Sequence, residues 1–285
     1  MRAARGRAQR HLLALFASVL IAVPTSRAAC RNLQPLSVGV VPQQAPSELA
    51  AVWIPMLAAV SRTAGCTFRF ATAPSIPEFE RRLRQGRYQL AYMNPLHYTV
   101  FSRQPGYRAF AREQGRRLRG LIVTRADGGL DSVAELDGRE MAFPSPAAFA
   151  ATVVPMASLA GLGIRVVPAY VASHDSVYLG VARGLYVAGG GIERTLDAIG
   201  PEVRDKLRVV WKSAEYAPHA FAALPGVEAD AIRGFVAGMQ ALSLSAAGRA
   251  ALQRLRFEGI QAAIDSDWDS IRALDLGGLP QAGGD

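Results

Sequence analysis

Short apolar runs alternate with amphipathic stretches along almost the whole chain, and this alternation restricts the fold more than any other feature. Leu36 to Val41, Phe68 to Ala71 and Gln89 to Met93 read as strands, and Ser47 to Thr63 and Ile76 to Gln85 between them repeat at helical spacing. A β-α-β-α-β order implies a mainly parallel sheet with helices on its faces. Tyr107 to Ala111 and Leu118 to Val123 add two strands around the polar turn Glu113 to Arg117, and Arg125 to Gly129 reads as a break. A second unit of the same kind follows. Glu140 to Phe143, Arg165 to Val171, Leu185 to Ala188 and Leu207 to Trp211 read as strands, and Ala151 to Leu162, Asp175 to Arg183 and Ile192 to Ile199 as helices. His219 to Leu224 is an extended return, and Ala229 to Leu242, Ala246 to Leu255 and a short piece near Trp268 end the chain as helix. Two α/β units joined by two strand crossings predict a cleft between lobes, with ligands at the carboxyl ends of the strands.

The amino end has a different character. Arg2, Arg5, Arg7 and Arg10 precede the 12-residue, largely apolar stretch Leu12 to Val23, which Pro24 and the small-residue stretch Thr25 to Ala29 follow. This is the pattern of a secretory signal spanning residues 1–28, too short for the ~20 residues of a spanning helix. Cleavage after Ala28 removes five arginines (2, 5, 7, 10 and 27), taking 32 basic residues to 27 against 23 acidic ones, a net charge of +4 rather than +9. That balance gives little support to nucleic-acid binding. The expected destination is the periplasm, with lipid attachment at Cys30 as the alternative outcome. About 257 mature residues, half of the chain being apolar, suffice for one large or two small cores.

Cys30 and Cys66 are the only cysteines. An even count in an oxidising compartment predicts a disulfide between them. Each lies just before a strand-like run; if those strands are parallel neighbours, both cysteines reach the same sheet edge. The bridge would close a loop of roughly 35 residues and contribute ~3 to 4 kcal/mol.

Four strand-to-helix loops carry polar or aromatic tips: Pro42-Gln43-Gln44, Tyr92 to Tyr98, Pro144-Ser145-Pro146 and Ser173-His174-Asp175. Each precedes a helix, so free backbone N–H groups and the positive helix end favour an anion there. His174 is the sharpest candidate, against a plainer reading in which Ser173 or Asp175 caps a helix and the imidazole is solvated. His97 and Tyr98 fit either a ligand role or ordinary helix-start positions, and His219 reads as structural. Gly189-Gly190-Gly191 before a helix is either a phosphate cradle or a close backbone approach, and it lacks the Lys-Ser/Thr end of a P-loop.

Enzyme signatures are missing. No G-x-S-x-G elbow occurs, and the contiguous Ser173-His174-Asp175 cannot form a triad, which needs side chains from separate segments. Three widely spaced mature histidines and two cysteines expected in a bridge argue against zinc, and neither H-E-x-x-H nor C-x-x-C occurs. No catalytic residue, metal or cofactor is expected.

The same loops carry a family resemblance. LSVGVVPQQ (36–44), GRYQLAYMNPLHY (86–98), Leu-Asp-Gly (136–138), MAFPSP (141–146) and SHDSVYLGVARGL (173–185) span most of the mature chain in order. In these stretches the chain resembles the phosphate/phosphite/phosphonate-binding subunits of bacterial ABC importers, within the type 2 periplasmic binding protein superfamily. The resemblance implies an α/β fold of two lobes, each a mainly parallel sheet flanked by helices, with a two-strand hinge. Lobe 1 takes 29–120 plus 217–285 and lobe 2 takes 121–216. It implies capture of a small anionic organic or phosphorus-containing ligand and delivery to an inner-membrane ABC permease. A periplasmic sensing subunit for a membrane sensor kinase is the alternative, and an exported enzyme a more distant one. A monomer that binds no nucleic acid is expected.

Combined with the loops, the resemblance gives the candidate ligand-contacting set Gln43, Trp53, Tyr92, Asn94, His97, Tyr98, Ser145, Phe149, Ser173, His174 and Asp175. Two departures bear on the ligand. Where phosphonate binders carry a Ser-Thr-Ser-like run, this chain has Ala148-Phe149-Ala150, and the family's Gly-x-Ala-Asp reads Gly184-Leu185-Tyr186-Val187. Lost hydroxyl donors predict a weaker anion site, each such bond being worth ~1.5 to 3 kcal/mol. Phe149 and Tyr186 predict a ligand with an apolar or aromatic portion.

Overall fold

The computed structural model describes residues 34–274. The signal segment, Cys30 and the tail after Leu274 lie outside the described residues. In chain order the strands are β1 (Leu36–Val40), β2 (Phe68–Ala71), β3 (Leu90–Met93), β4 (Arg108–Glu113), β5 (Gly120–Arg125), β6 (Glu140–Phe143), β7 (Val167–Tyr170), β8 (Ala188–Ile192), β9 (Leu207–Lys212), β10 (Ala220–Ala223) and β11 (Ile260–Ala262). The helices are α1 (Pro46–Ala64), α2 (Ile76–Arg84), α3 (Pro95–Phe101), α4 (Val154–Gly161), α5 (His174–Ala182), α6 (Glu193–Ala198), α7 (Pro201–Arg204), α8 (Ala229–Leu242), α9 (Ala246–Leu255) and α10 (Asp269–Arg272). A π-helical turn, Phe149–Val153, leads into α4.

The strands form two sheets, ordered β11-β4-β10-β3-β1-β2 and β7-β6-β8-β5-β9. Both are mixed. Strands joined through helices are parallel, as β1 is to β2 and β3, and β6 to β7 and β8. Strands that bring the chain in from the other sheet run antiparallel, as β10 does to β3 and β5 to β8. The chain passes between the sheets twice, from β4 to β5 and from β9 to β10. The two crossings pair at Leu118 and Tyr216, whose amides and carbonyls exchange hydrogen bonds of 2.9 Å each. A two-strand hinge joins two lobes.

This topology decides what faces the gap. The carboxyl ends of β1 and β3 lie at one edge of the first sheet, and antiparallel β10 delivers its amino end there, opposite Met93. In the second sheet β6, β7 and β8 end at one edge, where β5 begins, Gly120 facing Ile192. Loops 41–45, 144–148 and 171–174, the start of α6, and Pro218-His219 therefore converge.

Each lobe has its own apolar packing. In α1, Leu49, Trp53, Met56, Leu57 and Val60 form one buried stripe, the helical period expected from sequence. That stripe meets α8, whose Gly238 lets the helices approach; a methyl there would lie 2.8 Å from Val60. Complete burial of side chains of this size contributes about 1.5–3 kcal/mol each. In the second lobe alternate residues go to opposite faces of the sheet, Ile122, Met141 and Phe143 to one cluster and Val123 and Ala142 to another.

The triple glycine lies inside β8, which starts three residues and ends four residues later than the strand expected at 185–188. Both faces of β8 are pressed by helical segments. Added methyls would lie 2.4 Å from Val177 at Gly189, 1.9 Å from the Ala151 carbonyl oxygen at Gly190, and 2.2 Å from the Tyr178 hydroxyl at Gly191. Close approach, not a phosphate cradle, accounts for the motif. Helical structure begins as the π turn at Phe149, two residues before the expected Ala151.

Candidate functional site between the lobes

Helix starts build the gap. Asn94 caps α3, its Oδ1 accepting the His97 amide at 2.8 Å, while Pro95 takes the first helical position where no donor is needed. Its Nδ2 is then free to donate across the gap to the Ala147 carbonyl at 3.2 Å. Ser173 caps α5 through the Ser176 amide. The first amide of α5, that of His174, has no partner within the helix and donates to the Gln43 carbonyl in the first lobe at 3.1 Å. In this structure the lobes are drawn together.

The strongest bridge comes from Arg194, in the first turn of α6. Its guanidinium donates to the Tyr92 hydroxyl and to Gln43 Oε1 (2.5 Å), and lies 3.5 Å from Glu113 Oε2. It stands 5.6 Å from the centre of the Tyr92 ring and 5.9 Å from that of Phe257, within cation–π range. Burial opposes its charge, but Tyr92 and Glu113 outweigh burial and hold its pKa above the ordinary value. Burial pushes the Glu113 carboxyl upward, and Arg194 pulls it back.

Two small cavities flank this bridge. One, of about 10 Å³, is walled by Gln43, Asn94, residues 148–151, His174 and His219. The other, of about 50 Å³, lies against Trp53, Tyr92, Phe257 and Arg194, with Glu48, Arg254 and Arg256 also in its wall. Val41 and Gln43 border both. Ser145 and Thr152 bracket the 148–151 wall, and each has a buried hydroxyl without a partner among the described residues. His174 is 1 % exposed, with Nδ1 3.1 Å from Thr195 Oγ1, and burial, aided by Arg194, pushes its pKa down to about 3. His219 lies stacked on Tyr92 at 5.0 Å, its pKa also pushed well down by burial first and then by Arg194. Both imidazoles are neutral at neutral pH.

The structure distributes the expected site residues unevenly. Gln43, Asn94, Phe149 and His174 line the smaller cavity, and Trp53 and Tyr92 the larger. Ser173 is occupied as a cap. The half-buried Asp175 carboxyl is pushed up in pKa by burial and held back by the Ala45 amide, another contact across the gap. His97 and Tyr98 do not reach the gap. His97 turns into the first lobe, Nε2 2.9 Å from Glu80, between Phe79 and Phe101. Tyr98 donates to Asp265 at 2.6 Å, accepts the Ala109 amide at 3.2 Å, and packs on Trp268. The physical reason is the turn of α3: the third and fourth residues after the Asn94 cap point to its packed side. Tyr186 also goes elsewhere, into the second lobe's packing over Gly180.

Arg194, Glu113 and Thr152 carried no local signal. A third strand of the second unit at 185–188 leaves Arg194 six residues past a strand end, whereas β8 ends at Ile192 and delivers Arg194 into the gap two residues on. Among the described residues no cluster of three His, Cys, Asp or Glu could hold a metal ion, and no helix is long and apolar enough to cross a membrane.

Residues 38–268 match the profile of a family described as ABC transporter, phosphonate, periplasmic substrate-binding protein. Solved structures share the fold at low identity. A binding-protein component of an ABC phosphonate transporter from Pseudomonas aeruginosa is 18% identical, with 84% of this chain and 85% of that one covered and a TM-score of 0.76. PhnD1 of Prochlorococcus marinus, in complex with methylphosphonate, is 15% identical over 83% of this chain and 95% of its own, with a TM-score of 0.77. A Xanthomonas citri protein bound to ATP is 17% identical over 83% and 94%, with a TM-score of 0.64.

Proposed function

We propose a function from one premise: the chain belongs to the phosphonate-type periplasmic substrate-binding proteins of ABC transporters, and here it closes on a compact oxyanion with a short organic substituent. The observation that carries this is the cavity at residues 148–151. Its wall opens a helical segment, whose first amides have no partner within the helix. Ser145 and Thr152, just outside the two ends of this wall, carry two buried hydroxyls without a partner among the described residues. Phe149, edge-on to Tyr216 at 5.2 Å, gives an apolar side.

Size argues for a compact ligand. A cavity of about 10 Å³ holds roughly one water, so the lobes must part slightly to admit even a phosphonate, and a short substituent would extend past Gln43 toward the larger cavity. That reading replaces the aromatic portion expected from Phe149 and Tyr186, since Tyr186 faces away.

In this proposal residues 1–28 export the chain to the periplasm, the lobes are divided at 120/121 and 216/217, and a monomer delivers its ligand to an inner-membrane permease. Binding shifts the lobes toward the closed form in proportion to the ligand's preference for it. In this reading the chain performs no covalent chemistry: the one imidazole paired with a carboxylate among the described residues, His97 with Glu80, is turned into the first lobe away from the gap.

Calorimetry on the mature protein with methylphosphonate, ethylphosphonate, phosphate and phenylphosphonate tests this. Short alkylphosphonates should bind at micromolar or tighter Kd and phenylphosphonate at least tenfold more weakly. His174→Ala should weaken binding about tenfold without unfolding the chain. A folded protein that binds none of the four would overturn the proposal.

A further inference from the structure

We propose that the first lobe carries a cation-binding box, built by Gln43, Tyr92, Glu113 and Phe257, which the chain fills with its own Arg194 and thereby closes to ligands that bring a cation of their own. Every part of the box selects positive charge: two ring faces, a phenolic oxygen, an amide oxygen and a carboxylate. All four residues belong to the first lobe, and the guanidinium comes from the second. The ion pair is shielded, with side chains 15 % and 4 % exposed. Arg194 thus acts as a tethered ligand that joins the two lobes.

The consequence is selectivity. A solute with an ammonium or guanidinium group would have to displace Arg194 and leave that charge buried without a partner. A solute with an anionic head and no cation leaves the box intact. The inference rests on the two-lobed capture reading for its role in selection. The box itself does not depend on which anion binds.

Chemical rescue tests it. Arg194→Ala and Arg194→Gln shorten the plug, and guanidinium chloride up to 10 mM is titrated against a sodium chloride control by calorimetry and by tryptophan fluorescence, Trp53 being 5.1 Å from the Tyr92 ring. Both variants should show a saturable response to guanidinium at millimolar concentration, at least tenfold stronger than the wild type. Adding Glu113→Gln to either should weaken it about tenfold. A folded variant without saturable binding, or a wild type that responds equally, overturns the inference. If neither variant folds in salt alone, folding restored by guanidinium supports it, and folding unaffected by guanidinium overturns it. No phosphonate enters these titrations. Guanidinium rescue in a protein that binds no phosphonate would sink the proposed function alone, and phosphonate binding without rescue would sink the box alone.

Discussion

Gly190→Ala perturbs fold and gap together. A methyl at Gly190 would sit 1.9 Å from the Ala151 carbonyl oxygen and 2.8 Å from the Phe143 ring, where ordinary contact begins at 3.4 Å. The π turn would have to retreat by about 1.5 Å, and its obstructing atom is backbone, which cannot rotate away as a side chain can. Overpacking costs about 1–3 kcal/mol, and a carbonyl obstacle in a central strand places this variant at the upper end. At about 2–4 °C per kcal/mol for chains of this size, scanning calorimetry should show Tm lower by about 6–12 °C. Because residues 149–151 line the smaller cavity, methylphosphonate affinity should fall about tenfold as well. Gly161→Ala is the control: it ends α4 with no atom within 4 Å of the added methyl, so it should gain about 0.4–1 kcal/mol. If Gly190→Ala melts within about 2 °C of the wild type and binds equally well, close packing of the π turn on β8 does not explain the glycines.

Tyr98→Phe removes a hydrogen bond to the Asp265 carboxylate, so stability should fall by about 2 kcal/mol in urea unfolding while ligand affinity stays unchanged; a tenfold affinity loss would return Tyr98 to the site. His174, held at a pKa of about 3, refuses a proton that the unfolded chain accepts below about 6.5. Stability should therefore be level above that pH and fall as pH drops toward 3, by at most about 5 kcal/mol from this group, and His219 acts in the same direction. Urea midpoints of the wild type and His174→Gln from pH 7.5 to 4 check it, the variant losing less; identical slopes would show that His174 titrates normally. The mature chain should show no titratable thiol under non-reducing denaturation, whereas two thiols would refute the Cys30–Cys66 bridge.

The alternation of apolar runs and amphipathic helices was legible because it is local. Each strand of the first unit reads from its own four to six residues, and Asn94 and Ser173 cap helices through amides three residues away. Strand boundaries were less legible where glycine supplies no side-chain pattern, which displaced β8. The brief β11 left no mark, since its pairing with β4 comes from far along the chain.

The sequence by itself determined two α/β units, their order, the loops that would face a gap, and the family that shares them, because periodicity, capping and short motifs are written within a few neighbouring residues. Tertiary structure alone decided which tips turn inward: α3 carries His97 and Tyr98 into the first lobe, while β8 ends where Arg194 meets Tyr92, Gln43 and Glu113. Those contacts join residues 81 to 151 positions apart, and a guanidinium acquires such partners only when two separately packed lobes bring their strand ends together.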